Sequence, residues 1–259
     1  MIIRADELRH RALSYALENQ GYKTISFITD KQKIDTQRKS INGVINNHFF
    51  DRRVSEKYFF GHSEDVNLFA ENFRIDDINS NSAIETANRI EPEYLITFGC
   101  PILSNLWIEK FPHKILGIHL GLSPYYRGSG CNFWPIHEKE FACLGFTLME
   151  LGRGIDTGNI YHQERTQIIL RDTIHTIGNR TIENMISSVG EFIRKNDKIQ
   201  IRGKSTNFSD SKLYLRKHFT EDAILKANTN LSDQNISLYN ENIEAHSKNY
   251  PIVQATGLI

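Results

Sequence analysis

His119 closes an apolar run at residues 114–120, and Asp156 follows 37 positions later inside the glycine-flanked turn Gly-Ile-Asp-Thr-Gly at 154–158. A histidine and a carboxylate are the side chains best suited to hold and pass a proton near neutral pH. Between them runs Ser-Pro-Tyr-Tyr-Arg-Gly at 123–128, a loop whose composition suits closure over a ligand. Each residue also has a plainer reading. A histidine near a strand end is often structural, and Asp156 before Thr157-Gly158 suits an Asx-type turn. Tyr125, Tyr126 and Arg127 read either as a stacking surface with a phosphate or carboxylate clamp, or as an aromatic loop tied down by its arginine. Gly128, Ser129 and Gly130 let the backbone turn sharply or approach a ligand. Phe133 and Trp134 read as core.

Little other chemistry is on offer. Cys100, Cys131 and Cys143 form no CxxC pair and show no metal-ligand spacing, so they are expected to be reduced thiols in a cytoplasmic protein. Cys100 reads as a small buried residue, because no histidine lies beside it in sequence to activate it. No P-loop, GxGxxG, HExxH or EF-hand pattern supports nucleotide hydrolysis or a metal, and no metal ligands are assigned. Arg9, His10 and Arg11 open the first helix, either near a nucleotide phosphate or on an ordinary solvated face.

Elements that would position these groups follow from spacing. Residues 1–3 form a short strand. Residues 6–21 place Leu8, Ala12, Tyr15 and Ala16 at helical spacing, with Asp6 as cap and Gly21 as stop. Residues 23–28 form a second strand, so the chain opens as a parallel α/β sheet. Residues 30–75 are harder to read; 48–60 suit an amphipathic helix over the sheet edge. A helix capped by Ser80 or Asn81, a buried-type strand at 93–98, a helix at 103–111 and a strand at 114–120 come next. That last strand delivers His119 at its carboxyl end, where open α/β sheets bind ligands. Strands at 143–151 and 159–168 are expected to pair antiparallel around the Asp156 turn. The longest helix starts at a capping Asp172 and carries Ile174, Ile177, Ile182, Met185 and Ile186 on its apolar side. Beyond Gly203 the composition turns polar, and residues 204–259 read as an appendage or packing tail with one short helix.

The whole chain sets bounds. Its 259 residues can bury one large core. Lys+Arg and Asp+Glu are both 31, giving a net charge of zero, so no global field draws the protein onto nucleic acid or an anionic membrane. No apolar run approaches the ~18 residues of a membrane span. A homo-oligomer stays open.

The order Gly117, His119, Gly121-Leu122-Ser123-Pro124, Arg127-Gly128 and Ile155-Asp156-Thr157-Gly158 resembles the formyltransferases that use 10-formyltetrahydrofolate. Their pattern is Asn-x-His-x-Ser-Leu-Leu-Pro, then Arg-Gly, then a Leu-Asp-x-Gly turn. The family includes methionyl-tRNA, glycinamide ribonucleotide and amino-sugar formyltransferases. The resemblance is specific over roughly residues 85–190. It implies a mostly parallel Rossmann-like sheet of the formyltransferase type, with residues 1–203 as the catalytic domain. It assigns His119 to the oxyanion and to proton shuttling, and Asp156 to fixing the histidine and accepting a proton. Gly117 stands where the family has an asparagine that donates to the oxyanion, and losing one such donor costs ~10²–10³ in rate. Asn132, Ser129 or a water are the groups considered for that place. Phe98, Gly99, Cys100, Pro101 and Ile155 match the donor-binding backbone. Tyr125, Arg127, Arg9 and His10 are the acceptor-binding candidates.

The expected activity is one-carbon transfer from 10-formyltetrahydrofolate to a primary amine of a small molecule, with a nucleotide-linked amino sugar ahead of tRNA. Two other readings stay open: a ligand-binding module that keeps the cleft without turnover, and a hydrolase that releases formate to water.

Overall fold

The structure, a computed structural model, describes residues 1–29, 43–64, 71–196 and 203–254. Strands β1 (Ile2–Arg4), β2 (Ile25–Thr29), β3 (Glu71–Ile75), β4 (Leu95–Phe98), β5 (Ile115–His119), β7 (Gly145–Glu150) and β8 (Ile160–Arg165) form one sheet in the order β3-β2-β1-β4-β5-β7-β8. The first five run parallel, and β7 and β8 are antiparallel additions. The strand order reverses between β1 and β4, so the carboxyl ends of β1, β4 and β5 open onto one crevice.

Each face of the sheet is covered. Helix α1 (Leu8–Asn19), helix α6 (Ile174–Lys195) and Phe60 pack on one face over Ile96, Phe98, Leu116 and Leu148. Helices α3 (Asn81–Ile90) and α4 (Asn105–Lys110) cover Ile3, Leu95 and Ile115 on the other. Ser80 caps α3 by accepting from the Ala83 N–H. Trp107 of α4 is wholly buried and donates its indole N–H to the Ile78 carbonyl at 3.0 Å.

Several expectations need correction. Asp6 does not cap α1; the N-cap is Glu7, with no side-chain bond. The Asp6 carboxylate is drawn instead to Arg11 (3.0 Å) and Arg74 (2.8 Å), bonds in which both partners are charged. Asp172 likewise yields the α6 cap to Thr173, which forms a capping box with Thr176. Asp172 is held by both Arg180 guanidinium nitrogens at 2.8 Å. Helix α2 (Gly43–Phe60) begins earlier than expected and packs on α1 and α6 rather than over the sheet edge. Strand β3 was not anticipated, since Glu71–Ile75 is charged and largely exposed at the edge. Residues 30–42, within the hard-to-read stretch, lie outside the described residues, as do the last five of the tail.

The segment after Gly203 carries strand β9 (Lys212–Tyr214) and helices α7 (Glu221–Asn230), α8 (Asp233–Glu241) and α9 (Ile243–Lys248), not one short helix. Thr220 and Ser232 cap α7 and α8 through their side chains, a signal present in the sequence. Strand β9 pairs in parallel with β6 (Tyr126–Gly128), and Ile224, Ala227, Ile236 and Tyr239 pack on Tyr126, on Trp134 of the short helix α5 (Trp134–His137) and on Ile177.

Candidate functional site

Alternation along β5 puts Gly117 and His119 on one face, beside Thr97 of β4 and opposite Met149 and Thr147 of β7. His119 is 7% exposed. Its Nε2 lies 3.0 Å from the Tyr126 carbonyl, and its Nδ1 lies 3.3 Å from Asp156 Oδ2. A neutral imidazole carries one N–H, so both contacts are donated bonds only when the ring holds a second proton. The pair therefore provides a place to store a proton.

The Asp156 turn is built by its glycines. A Cβ on Gly158 would stand 1.8 Å from the Glu150 carbonyl oxygen, so only glycine lets β7 and β8 approach there. Asp156 itself sits at φ +51°, in the left-handed region. That conformation turns its Oδ2 onto the Gly128 N–H at 2.8 Å as well as onto His119. Oδ1 makes no hydrogen bond among the described residues.

Around this pair, the sequence-derived residues divide. Arg127 donates to the Ile155 carbonyl (3.1 Å) and to Ser211 Oγ (2.8 Å), with its guanidinium over Phe208. It ties the Asp156 turn to the C-terminal segment, and Ile155 presents a carbonyl already engaged. Tyr125 turns away: its hydroxyl donates to the Pro251 carbonyl at 2.6 Å and its ring meets Tyr250. It lines a cavity of about 200 Å³ with Ser123, Gln163, Lys204 and Thr206, to which neither His119 nor Asp156 contributes. Tyr126 is fully buried, donates to Glu140 at 2.6 Å and lies parallel to Tyr214, so it is no ligand-stacking surface.

Arg9 is engaged by Glu56 at 2.7 Å and by Glu7, so its charge is balanced rather than offered to a phosphate. His10 is buried, edge-on to Phe98 at 4.7 Å, and supports Gly99 from behind: a Cβ on Gly99 would fall 2.1 Å from His10 Nε2. The Phe98–Pro101 segment leaves β4 at the crevice, with Gly99 at φ +67° and an apolar lip at Pro101 and Ile102, the latter 73% exposed. Burial pushes the Cys100 thiol up to about 12, which leaves it a poor nucleophile. Phe133 and Trp134 are in the core.

Three polar residues escaped the sequence reading. Thr147 donates to the Gly121 carbonyl (2.7 Å) and accepts from the Ser123 N–H (3.1 Å). Gln163 donates to the Ser123 carbonyl (2.6 Å) and to Thr147 (2.9 Å), and accepts from the Val253 N–H. Together they fix the chain that leaves His119. Thr97 is the third. For Thr97 and Thr147 the available signal was a polar residue inside a largely apolar strand; β8, with His162, Glu164 and Arg165 beside Gln163, offered none. Asn132 has both amide atoms buried without a hydrogen-bond partner among the described residues.

A sequence profile described as Formyl transferase matches residues 3–189. The chain belongs to the formyl transferase family. Methionyl-tRNA formyltransferase of Kosmotoga olearia is 27% identical over 160 residues, 59% of this chain and 49% of that protein. Matches to the first four curated relatives cover 23–49% of their lengths, so the chain spans about half of them or less. Among solved structures, a sugar N-formyltransferase from Shewanella superposes with TM-score 0.56 at 14% identity, over 87% of this chain and 86% of that one. An N-formyltransferase from Helicobacter canadensis superposes with TM-score 0.54 at 14% identity, over 90% of this chain and 81% of that one. These likenesses establish the shared Rossmann-like fold of this formyl transferase family member. Among the described residues, no helix is long and apolar enough to cross a membrane.

Proposed function

We propose that this formyl transferase family member moves a formyl group from 10-formyltetrahydrofolate to a primary amine of a small molecule, with a nucleotide-linked amino sugar as the preferred acceptor class. The observation that carries this reading is the His119–Asp156 pair, 3.3 Å apart at the carboxyl end of β5. The donor fits the residues present. Asp156 keeps Oδ1 available, and the exposed apolar lip at Pro101 and Ile102 adjoins the turned backbone at Gly99, suited to the faces and edge of a pterin. The donor supplies an activated formyl carbon. The acceptor nitrogen bonds to that carbon, the carbon–N10 bond breaks, and the amine's proton passes to the departing N10. Asp156 accepts and orients through His119 Nδ1, and the imidazole holds the proton during the transfer.

The charge balance favours a small acceptor over tRNA: a chain with equal acidic and basic counts has no net basic field to gather tRNA. The Helicobacter canadensis N-formyltransferase was solved with folinic acid and dTDP-3-aminofucose, a nucleotide-linked amino sugar. The test is consumption of 10-formyltetrahydrofolate with and without a panel of nucleotide-linked amino sugars. Acceptor-dependent consumption supports the transferase. Acceptor-independent release of formate would replace it with hydrolysis, and donor binding without turnover would leave a binding module.

A further inference from the structure

An acyl transfer needs a hydrogen-bond donor aimed at the oxygen that gathers charge as the nucleophile adds. On β5 itself no donor is left. His119 Nε2 is bonded to the Tyr126 carbonyl, and Nδ1 faces Asp156. Gly117 has no side chain. Thr97 is different. It lies directly opposite Gly117 in the parallel β4–β5 ladder, on the same face as His119. Its hydroxyl makes no hydrogen bond among the described residues, and the residue is only 6% exposed. The residue is largely buried, but its hydroxyl oxygen keeps access to solvent, where a ligand atom can meet it.

The space around Gly117 shows what the hydroxyl faces. A Cβ built there would meet Met149 O at 3.3 Å, Met149 Cγ at 3.6 Å and Thr97 Oγ1 at 3.7 Å. An amide nitrogen on a longer side chain at 117 would extend about 2.5 Å beyond that Cβ. The Thr97 hydroxyl thus enters, from the neighbouring strand, the volume that a side chain at 117 would otherwise use.

We infer that Thr97 is the oxyanion donor of this site, its hydroxyl donating to the carbonyl oxygen of the formyl group in transfer. The assignment rests on the formyl-transfer reading above. As the amine nitrogen bonds to the formyl carbon, the carbonyl π pair moves onto oxygen, and the Thr97 O–H stabilises it without giving up its proton. When the carbon–N10 bond breaks, the pair returns to re-form the carbonyl. The glycine then has a physical sense: it leaves room for the oxygen to sit against Thr97.

The experiment compares the unmodified chain with Thr97→Val, Thr97→Ser and the double variant Thr97→Val/Gly117→Asn. Turnover is read with an amine acceptor, and binding with 10-formyl-5,8-dideazafolate carrying a ¹³C-formyl label, followed by its infrared carbonyl stretch. Thr97→Val is expected to lower kcat roughly 10²-fold, with both KM values and the melting temperature little changed. Thr97→Ser should keep most of the activity, and the asparagine in the double variant should recover part of it. The downward shift of the bound carbonyl stretch should vanish in Thr97→Val and persist in Thr97→Ser. Unchanged kcat, or an unchanged carbonyl shift in Thr97→Val, would overturn the assignment alone. If the unmodified protein does not bind the analogue, the donor site itself is wrong and Thr97 falls with it. Should Thr97→Val not fold, Thr97→Ala against Thr97→Ser makes the same comparison.

Discussion

At the scale of single residues, His119 and Asp156 act as a unit, because the same Oδ2 serves the imidazole and the Gly128 N–H. Asp156→Asn keeps an oxygen for Gly128 but withdraws the negative charge beside Nδ1. It is expected to cut turnover by ~10²–10⁴ while the melting temperature stays within a few degrees. His119→Ala should do the same. Steady-state kinetics beside a thermal melt check both; full activity in either variant would remove the pair from the chemistry. These two residues were readable from type and spacing, as a histidine at a strand end and an acid in a glycine turn. Arg9 and Tyr125 keep two readings each in the sequence, because a sequence does not show what a charge or hydroxyl will meet. Glu7 and Glu56 neutralise the arginine, and the Pro251 carbonyl takes the tyrosine.

At the scale of elements, the packing of α2 against α6 leaves an acid-sensitive joint. His48 and His175 face each other at 4.5 Å among Phe49, Phe133 and Phe219. Burial, then His175 and Arg52, pull the His48 imidazole down to about 3; burial, then Arg52, pulls His175 down to about 4. Both rings are neutral when folded but take protons near pH 6.5 when unfolded. The unfolded chain therefore binds more protons below that pH, and stability should fall as pH drops from about 6.5 towards 4. Replacing both histidines with phenylalanine should flatten this limb in melting temperature against pH. Asp172 supplies a second, lower limb. Burial raises its carboxyl, but Arg180, the Ile169 N–H and Thr176 outweigh that and hold it below its ordinary 3.8. Its stabilisation is present above the unfolded value and lost as pH falls through the folded one. Asp172→Asn should cost about 1–2 kcal/mol near neutral pH by denaturant titration and remove that lower limb. Strong periodicity made α6 and β5 visible in advance. Edge strand β3 lacked it, being charged and exposed, and needed β2 beside it to become a strand.

At the scale of the molecule, the loop after His119 and the C-terminal segment form one packed unit. Strand β6 pairs with β9, and Trp134 stacks on Tyr214 at 4.1 Å. Gly128 holds the junction at φ +93°, where a Cβ would strike the Tyr214 carbonyl at 2.1 Å. Gly128→Ala should therefore cost about 2 kcal/mol or more. It should also lower turnover, because the Gly128 N–H anchors Asp156. Denaturant unfolding with steady-state kinetics tests this; an unperturbed variant would show that the β6–β9 seam does not support the site.

The sequence by itself determined the parallel α/β sheet, the strand that carries His119, the turn that carries Asp156 and the family these imply. Those features depend on local periodicity, turn chemistry and short-range spacing, which a chain displays without folding. Tertiary structure alone decided which groups around that pair are spent and which are available. Arg127 closes the Asp156 turn, Thr147 and Gln163 brace the loop, and the Thr97 hydroxyl, unbonded among the described residues, stands beside Gly117. A hydrogen bond has one partner chosen from many candidates far apart in sequence, and only the assembled strands and loops make that choice.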